Sequence, residues 1–128
     1  MEGSKRGGRV LVTEDNPLHM KIFKLNLAAW SISVSEATNG EEGLRLARAE
    51  HPDLILADIG LPKLDGWDMI RQLKADPLTR EIPVIVVSAR PQSEPIVQEM
   101  LPQIVAYVAK PFDPEALTRL VVDTLPVR

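Results

Sequence analysis

The chain reads as an α/β domain with a parallel sheet covered by helices on both faces. Three observations carry that reading. From Arg9 onward, short β-branched runs alternate with longer amphipathic stretches. Two of the short runs, Leu54 to Ala57 and Pro83 to Val87, hold no polar side chain, as expected of strands buried on both faces. A length of 128 residues, with 45% hydrophobic and 26% charged side chains, suits one globular domain with a single core.

The elements follow in order. A first strand over Arg9 to Thr13 runs into Asn16-Pro17, an N-cap followed by proline at the first helical position. The helix then repeats Leu18, Ile22, Leu25 and Ala29 at helical spacing, which predicts that this stripe faces the sheet. The second strand, Ser33 to Ala37, alternates with polar residues and suits a sheet edge. Asn39-Gly40 turns into a helix over Glu41 to Glu50 with Leu44 and Ala47 inward, stopped by His51-Pro52. The third strand, Leu54 to Ala57, is central. A loop over residues 58–65 leads to a helix from Gly66 to Ala75 with Met69, Ile70 and Leu73 inward, ended by Asp76-Pro77. The fourth strand, Pro83 to Val87, is also central. Pro91, Pro95 and Pro102 confine the next helix to Pro95–Leu101. A fifth strand over Val105 to Ala109 and a helix from Asp113-Pro114, with Leu117, Leu120, Val121 and Leu125 inward, complete the pattern. Trp30 and Trp67 are expected to pack between helices, and His19 and His51 to lie on the surface.

Composition excludes several classes. There is no cysteine, so neither a disulfide framework nor a thiolate metal centre is possible. Nothing resembles a signal peptide, and no apolar run approaches the roughly 20 residues that span a bilayer. A cytoplasmic protein with no membrane contact is expected. The net charge of -3 gives no general attraction to nucleic acid; the basic cluster Lys5, Arg6 and Arg9 lies in a Gly-rich lead that reads as flexible over residues 1–8.

Reactive side chains collect where the strands end. Glu14-Asp15 follow the first strand, Asp58 the third, Ser88 the fourth and Lys110-Pro111 the fifth. In an open parallel sheet, ligands bind outside those ends. Acids on neighbouring strands repel unless a cation joins them, and magnesium accepts a few carboxylate oxygens, a carbonyl and waters. Lysine supplies a point charge and serine a hydrogen bond to phosphoryl oxygens. These are the parts of a metal-assisted phosphoryl-transfer site. Asp58 alone would read as a turn or cap residue; the constellation reverses that.

The set Glu14-Asp15, Asp58, Ser88-Ala89 and Lys110-Pro111-Phe112 resembles the receiver domain of two-component response regulators, over about Val10 to Leu125. Asp15-Asn16 with Met20-Lys21, and Lys110-Pro111, look most like small single-domain regulators of the DivK type. The resemblance implies a CheY-like, flavodoxin-like (βα)5 doubly wound sandwich with a five-stranded parallel sheet of order 2-1-3-4-5, one receiver domain over residues 9–128. It implies Asp58 as phosphoacceptor, and Mg2+ held by Asp15, Asp58 and the Gly60 carbonyl, with Glu14 acting indirectly. Ser88 would be the switch hydroxyl, Lys110 the phosphate-binding amine, Tyr107 the aromatic switch and Pro111 a cis-proline. A histidine kinase or histidine phosphotransfer protein would supply the phosphoryl group. A downstream protein effector would read the fourth helix, fifth strand and fifth helix, the chain being a monomer or weak homodimer and no enzyme beyond its own phosphorylation and dephosphorylation.

Three departures from the family pattern matter. Gly60, two residues after the acceptor, leaves the acyl phosphate open on that side. Arg90, two after Ser88, either covers the phosphoryl group or swings into solvent. Met100-Leu-Pro-Gln-Ile104 stands where the family has a Gly-Ala pair, with Gln103 replacing a favoured αL glycine. Leu101, Ile104, Val105 and Val108 either form an apolar patch there or fill the core. The competing readings are a receiver excised from a hybrid kinase or multidomain regulator, a degenerate phosphorylation-independent receiver, and a magnesium phosphatase with Asp58 as nucleophile. The last lacks a second acid at Gly60.

Overall fold

A computed structural model describes residues 7–59 and 65–126. Among them, five strands alternate with five α-helices: β1 (Arg9–Thr13), α1 (Pro17–Ala28), β2 (Ser33–Ala37), α2 (Gly40–Glu50), β3 (Leu54–Asp58), α3 (Gly66–Ala75), β4 (Val84–Ser88), α4 (Pro95–Met100), β5 (Ala106–Ala109) and α5 (Pro114–Thr124). The strands are all parallel, in the order β2-β1-β3-β4-β5. Every residue of β3 and β4 is buried, as the apolar runs Leu54–Ala57 and Val84–Val87 require, and the polar residues that end them, Asp58 and Ser88, are buried too.

The period-2 pleat divides the core into two layers. Val10, Val12, Leu54, Leu56, Ile85 and Val87 face α1 and α5. Leu11, Ile55, Ala57, Val84 and Val86 face α2, α3 and α4. One-residue alternation along each strand therefore fixes which helices cover which face.

Local chemistry sets the helix ends. Asn16 Oδ1 accepts from the N–H groups of Leu18 (2.9 Å) and His19 (3.3 Å), and Pro17 sits in the first turn, where it forfeits no bond. Asn39, Asp65 and Asp113 cap α2, α3 and α5 in the same way. His51 closes α2 with φ 49°, in the left-handed region.

The inward stripe of α1 differs from expectation. Met20, Phe23 and Leu27 are the buried residues, whereas Leu18 and Leu25 are 65% and 64% exposed and Ala29 is exposed. The helix carries two apolar stripes, and the larger Met and Phe side chains take the sheet side. The region after α4 also differs. Leu101–Gln103 form a 3-10 turn, and Ile104 is extended (φ -125°), so the chain leaves the helix with no left-handed residue at Gln103. Leu101 and Ile104 pack on the α2/α3/α4 layer and Val108 on the other, while Val105 stays half exposed. Trp67 is buried and Trp30 half-buried, the latter with Arg119 5.8 Å from its ring centre.

Candidate functional site

The strand order reverses about β1, which lies between β2 and β3, so β1 and β3 open a crevice at their carboxyl ends. Register brings the reactive residues level there. Thr13 pairs with Ala57, Asp58 with Val87, and Ser88 with Ala109. Glu14, Asp15, Asp58, Ser88, Arg90 and Lys110 line one cleft of about 610 Å³.

Carboxylate oxygens of Glu14, Asp15 and Asp58 lie within 4.8 Å of one another. Asp15 is exposed, while Glu14 and Asp58 are buried. Lys110 Nζ donates to Asp58 Oδ2 at 3.0 Å, and the Lys110–Pro111 bond is cis. Glu14 is the most confined of the acids. Its Oε2 accepts the Asn16 N–H at 3.1 Å, and its Oε1 is buried with no hydrogen-bond partner. Burial, then the nearby Asp58 charge, pushes its carboxyl up to about 7. A buried acceptor atom without a donor, beside two further carboxylates, fits a hard cation that takes oxygen ligands.

Ser88 Oγ accepts the Arg90 N–H at 3.0 Å, and Tyr107 Oη donates to the Arg90 carbonyl at 2.6 Å. The Arg90 guanidinium bonds Glu94 at 2.9 Å, on the α4 side of the cleft. Tyr107 is half-buried on β5 and tied to the cleft through Arg90. Gly60 lies outside the described residues.

One residue of the cleft escaped the sequence reading. His19, expected on the surface, lines the cleft with Nδ1 3.8 Å from Glu14 Oε2. The signal was present: the N-cap at Asn16 fixes the first turn of α1, and a residue in that turn four after Asp15 can reach back to the strand end.

A family model described as the response regulator receiver domain matches residues 10–122. Protein PilH of Pseudomonas aeruginosa is 36% identical over 88% of this chain and 93% of its own length. The polar-differentiation response regulator DivK of Brucella abortus is 45% identical over 62% of this chain, and the match spans 65% of that relative. The receiver domain of the sensor histidine kinase PA1611 from P. aeruginosa, solved with magnesium in its active-site cleft, superposes with a TM-score of 0.79 at 29% identity, covering 90% of this chain and 94% of that one. On fold, cleft and sequence together, the chain belongs to the response regulator receiver domain family, the phosphorylation switches of two-component signalling.

Proposed function

We propose that Asp58 is the phosphoacceptor of this switch, taking a phosphoryl group from a histidine kinase or histidine phosphotransfer protein. The observation that carries the reading is the 3.0 Å bond between Lys110 Nζ and Asp58 Oδ2, beside the Glu14 and Asp15 carboxylates. Asp58 Oδ attacks phosphorus in line as the donor histidine nitrogen departs, forming an acyl phosphate. Lys110 then follows the charge onto the phosphoryl oxygens, and Ser88 turns its hydroxyl toward them, as charge stabilisation and positioning require. Asp15 and Asp58 would hold Mg2+ directly, with the Gly60 carbonyl, and Glu14 through water. Bound there, the ion neutralises phosphoryl charge.

The output follows from Ser88. Its hydroxyl oxygen holds the Arg90 N–H, so its departure loosens the Arg90 peptide that anchors Tyr107. A shift in the equilibrium across α4, β5 and α5 is the readout, sensed by a protein effector that prefers one state. The donor approaches from the mouth of the cleft, where exposed Leu18 and Leu25, with half-buried Ile22, give an apolar footing along α1. Such chemistry belongs in the cytoplasm, and among the described residues no helix is long and apolar enough to cross a membrane.

Incubation with Mg2+ and acetyl phosphate or phosphoramidate, followed by intact-mass measurement, tests the reading. One phosphoryl group per chain is expected, absent in Asp58→Asn. Continuous phosphate release with a lasting unmodified mass would indicate a phosphatase, and no gain in mass would indicate a binding module.

A further inference from the structure

Arg90 is held at three points, and its side chain is the freest of them. The N–H is held by Ser88 Oγ at 3.0 Å and the carbonyl by Tyr107 Oη at 2.6 Å, while Pro91 restricts the backbone to extended conformations. The guanidinium Nη1 bonds Glu94 Oε1 at 2.9 Å, and the two side chains are 57% and 34% exposed. An ion pair so open to solvent holds its partners weakly. Both residues line the cleft that contains Asp58. A phosphoryl oxygen within hydrogen-bond reach of Ser88 Oγ lies no more than about 6 Å from Arg90 N, two bonds of about 3 Å, and an extended arginine spans that gap.

We propose that the Arg90 guanidinium changes partner on phosphorylation, leaving Glu94 for the phosphoryl oxygens on Asp58, and that Glu94 sets the lifetime of the acyl phosphate by competing for it. The inference rests on Asp58 as the phosphoacceptor, given above. Charge decides the exchange. Lys110 already bonds Asp58, so among the described residues that line the cleft Arg90 carries the other fixed positive charge, facing the carboxyl groups of Glu14, Asp15, Asp58 and Glu94. Phosphorylation replaces one carboxylate with a group of about two negative charges and three acceptor oxygens, which a planar guanidinium meets with two parallel bonds. Glu94 offers one charge, partly in water. Hydrolysis ends the state: a water oxygen bonds phosphorus, the bond from phosphorus to Asp58 Oδ breaks, and inorganic phosphate leaves with the protons of the water. A guanidinium laid over the phosphoryl group closes the Arg90 side to that water; paired with Glu94, it leaves the path open.

Loading the full chain with acetyl phosphate and Mg2+, removing the donor, and following the phosphorylated fraction by intact mass tests the proposal. Both side chains reach solvent, so neither substitution threatens the fold. Glu94→Gln keeps the shape of the side chain but releases the guanidinium, and the half-life should lengthen about two- to fivefold, the factor that a surface ion pair is worth. Arg90→Ala should shorten it by a similar factor, and the double variant should match Arg90→Ala, because Glu94 acts only through Arg90. A pair that merely braces the loop would shift both single variants the same way, and that result overturns the exchange. So does a half-life unchanged in Glu94→Gln, or a double variant that differs from Arg90→Ala. Absence of any mass gain in the wild type overturns the acceptor reading and the exchange with it.

Discussion

The hydroxyl of Tyr107 donates a 2.6 Å hydrogen bond to the carbonyl of Arg90. The N–H of the same residue is held by Ser88 Oγ at 3.0 Å. One residue thus joins the hydroxyl facing the cleft to the aromatic ring on β5, and neither end can move far without disturbing the other. Tyr107 is the single tyrosine of the chain, which makes the link measurable. With 3-fluorotyrosine incorporated, the protein should give one 19F resonance, displaced in Ser88→Ala although residue 107 is untouched. An unshifted resonance in that variant would break the proposed coupling. Tyr107→Phe should cost about 0.5 to 1.5 kcal/mol in urea unfolding, the net worth of one hydrogen bond.

The end of β3 is braced by the absence of a side chain at Gly66. A Cβ on Gly66 would lie 2.7 Å from Ile59 Cα, 2.8 Å from Ile59 O and 3.1 Å from Asp58 O, and all three are backbone atoms that cannot swing aside. The Gly66 N–H also bonds Ile59 O at 3.1 Å. Gly66→Ala should therefore destabilise by about 1 to 3 kcal/mol and displace the backbone beside Asp58. Gly43→Ala provides the contrast. Its Cβ meets Met69 Sδ at 2.8 Å, the movable end of a flexible chain, and Thr13 Cγ2 at 2.9 Å. Better helix propensity offsets part of that crowding, by about 1 kcal/mol. Urea midpoints should rank wild type, Gly43→Ala, then Gly66→Ala; the reverse order of the two variants would contradict the backbone argument.

Glu14 makes the cation-free protein pH-sensitive. Its carboxyl rises from an ordinary 4.5 to about 7 in the folded state, by burial first and the Asp58 charge second. Between those values the folded chain holds a proton that the unfolded chain has released. Stability therefore falls as pH rises from about 4.5 to about 7 and is level above that. In EDTA, wild type measured against Glu14→Gln should lose on the order of 3 kcal/mol across this window. Added Mg2+ should restore stability above pH 7 and have little effect near pH 5, where the proton competes. A difference between wild type and variant that stays flat with pH would show that Glu14 is not protonated in the fold.

The layout of the fold was legible because its signals are local. Unbroken apolar runs at β3 and β4, the Asn16-Pro17 cap and the His51-Pro52 stop each act within a few residues. The carboxyl-end placement of Glu14, Asp58, Ser88 and Lys110 followed from the same register. Three features were not legible, each for a nonlocal reason. The 3-10 exit at Leu101–Gln103 depends on Leu101 and Ile104 finding the sheet-facing layer, which no turn motif encodes. The Asn16 cap sets His19 near the strand end, but its ring is fixed there by Phe112, far along the chain, and that contact has no local signal. The face of α1 was misassigned because periodicity cannot choose between two apolar stripes; the fit of Met20 and Phe23 against the sheet chooses.

That misassigned stripe yields the last expectation. Leu18 and Leu25, 65% and 64% exposed, lie with Ile22 on one side of α1, and Ile22 lines a hollow that shares His19, Ala89 and Lys110 with the cleft that holds Asp58. Burial of an exposed leucine against a partner contributes about 1.5 to 3 kcal/mol, whereas in the free protein it stabilises nothing. Leu18→Ser and Leu25→Ser should therefore leave the melting temperature and the rate of labelling by acetyl phosphate unchanged. Transfer from a phosphorylated histidine phosphotransfer protein that labels the wild type should slow at least about tenfold in the double variant, since each factor of ten is about 1.4 kcal/mol. Equal slowing with acetyl phosphate would move the effect into the cleft itself. Full transfer rates with the protein donor would mean that the donor docks on another face.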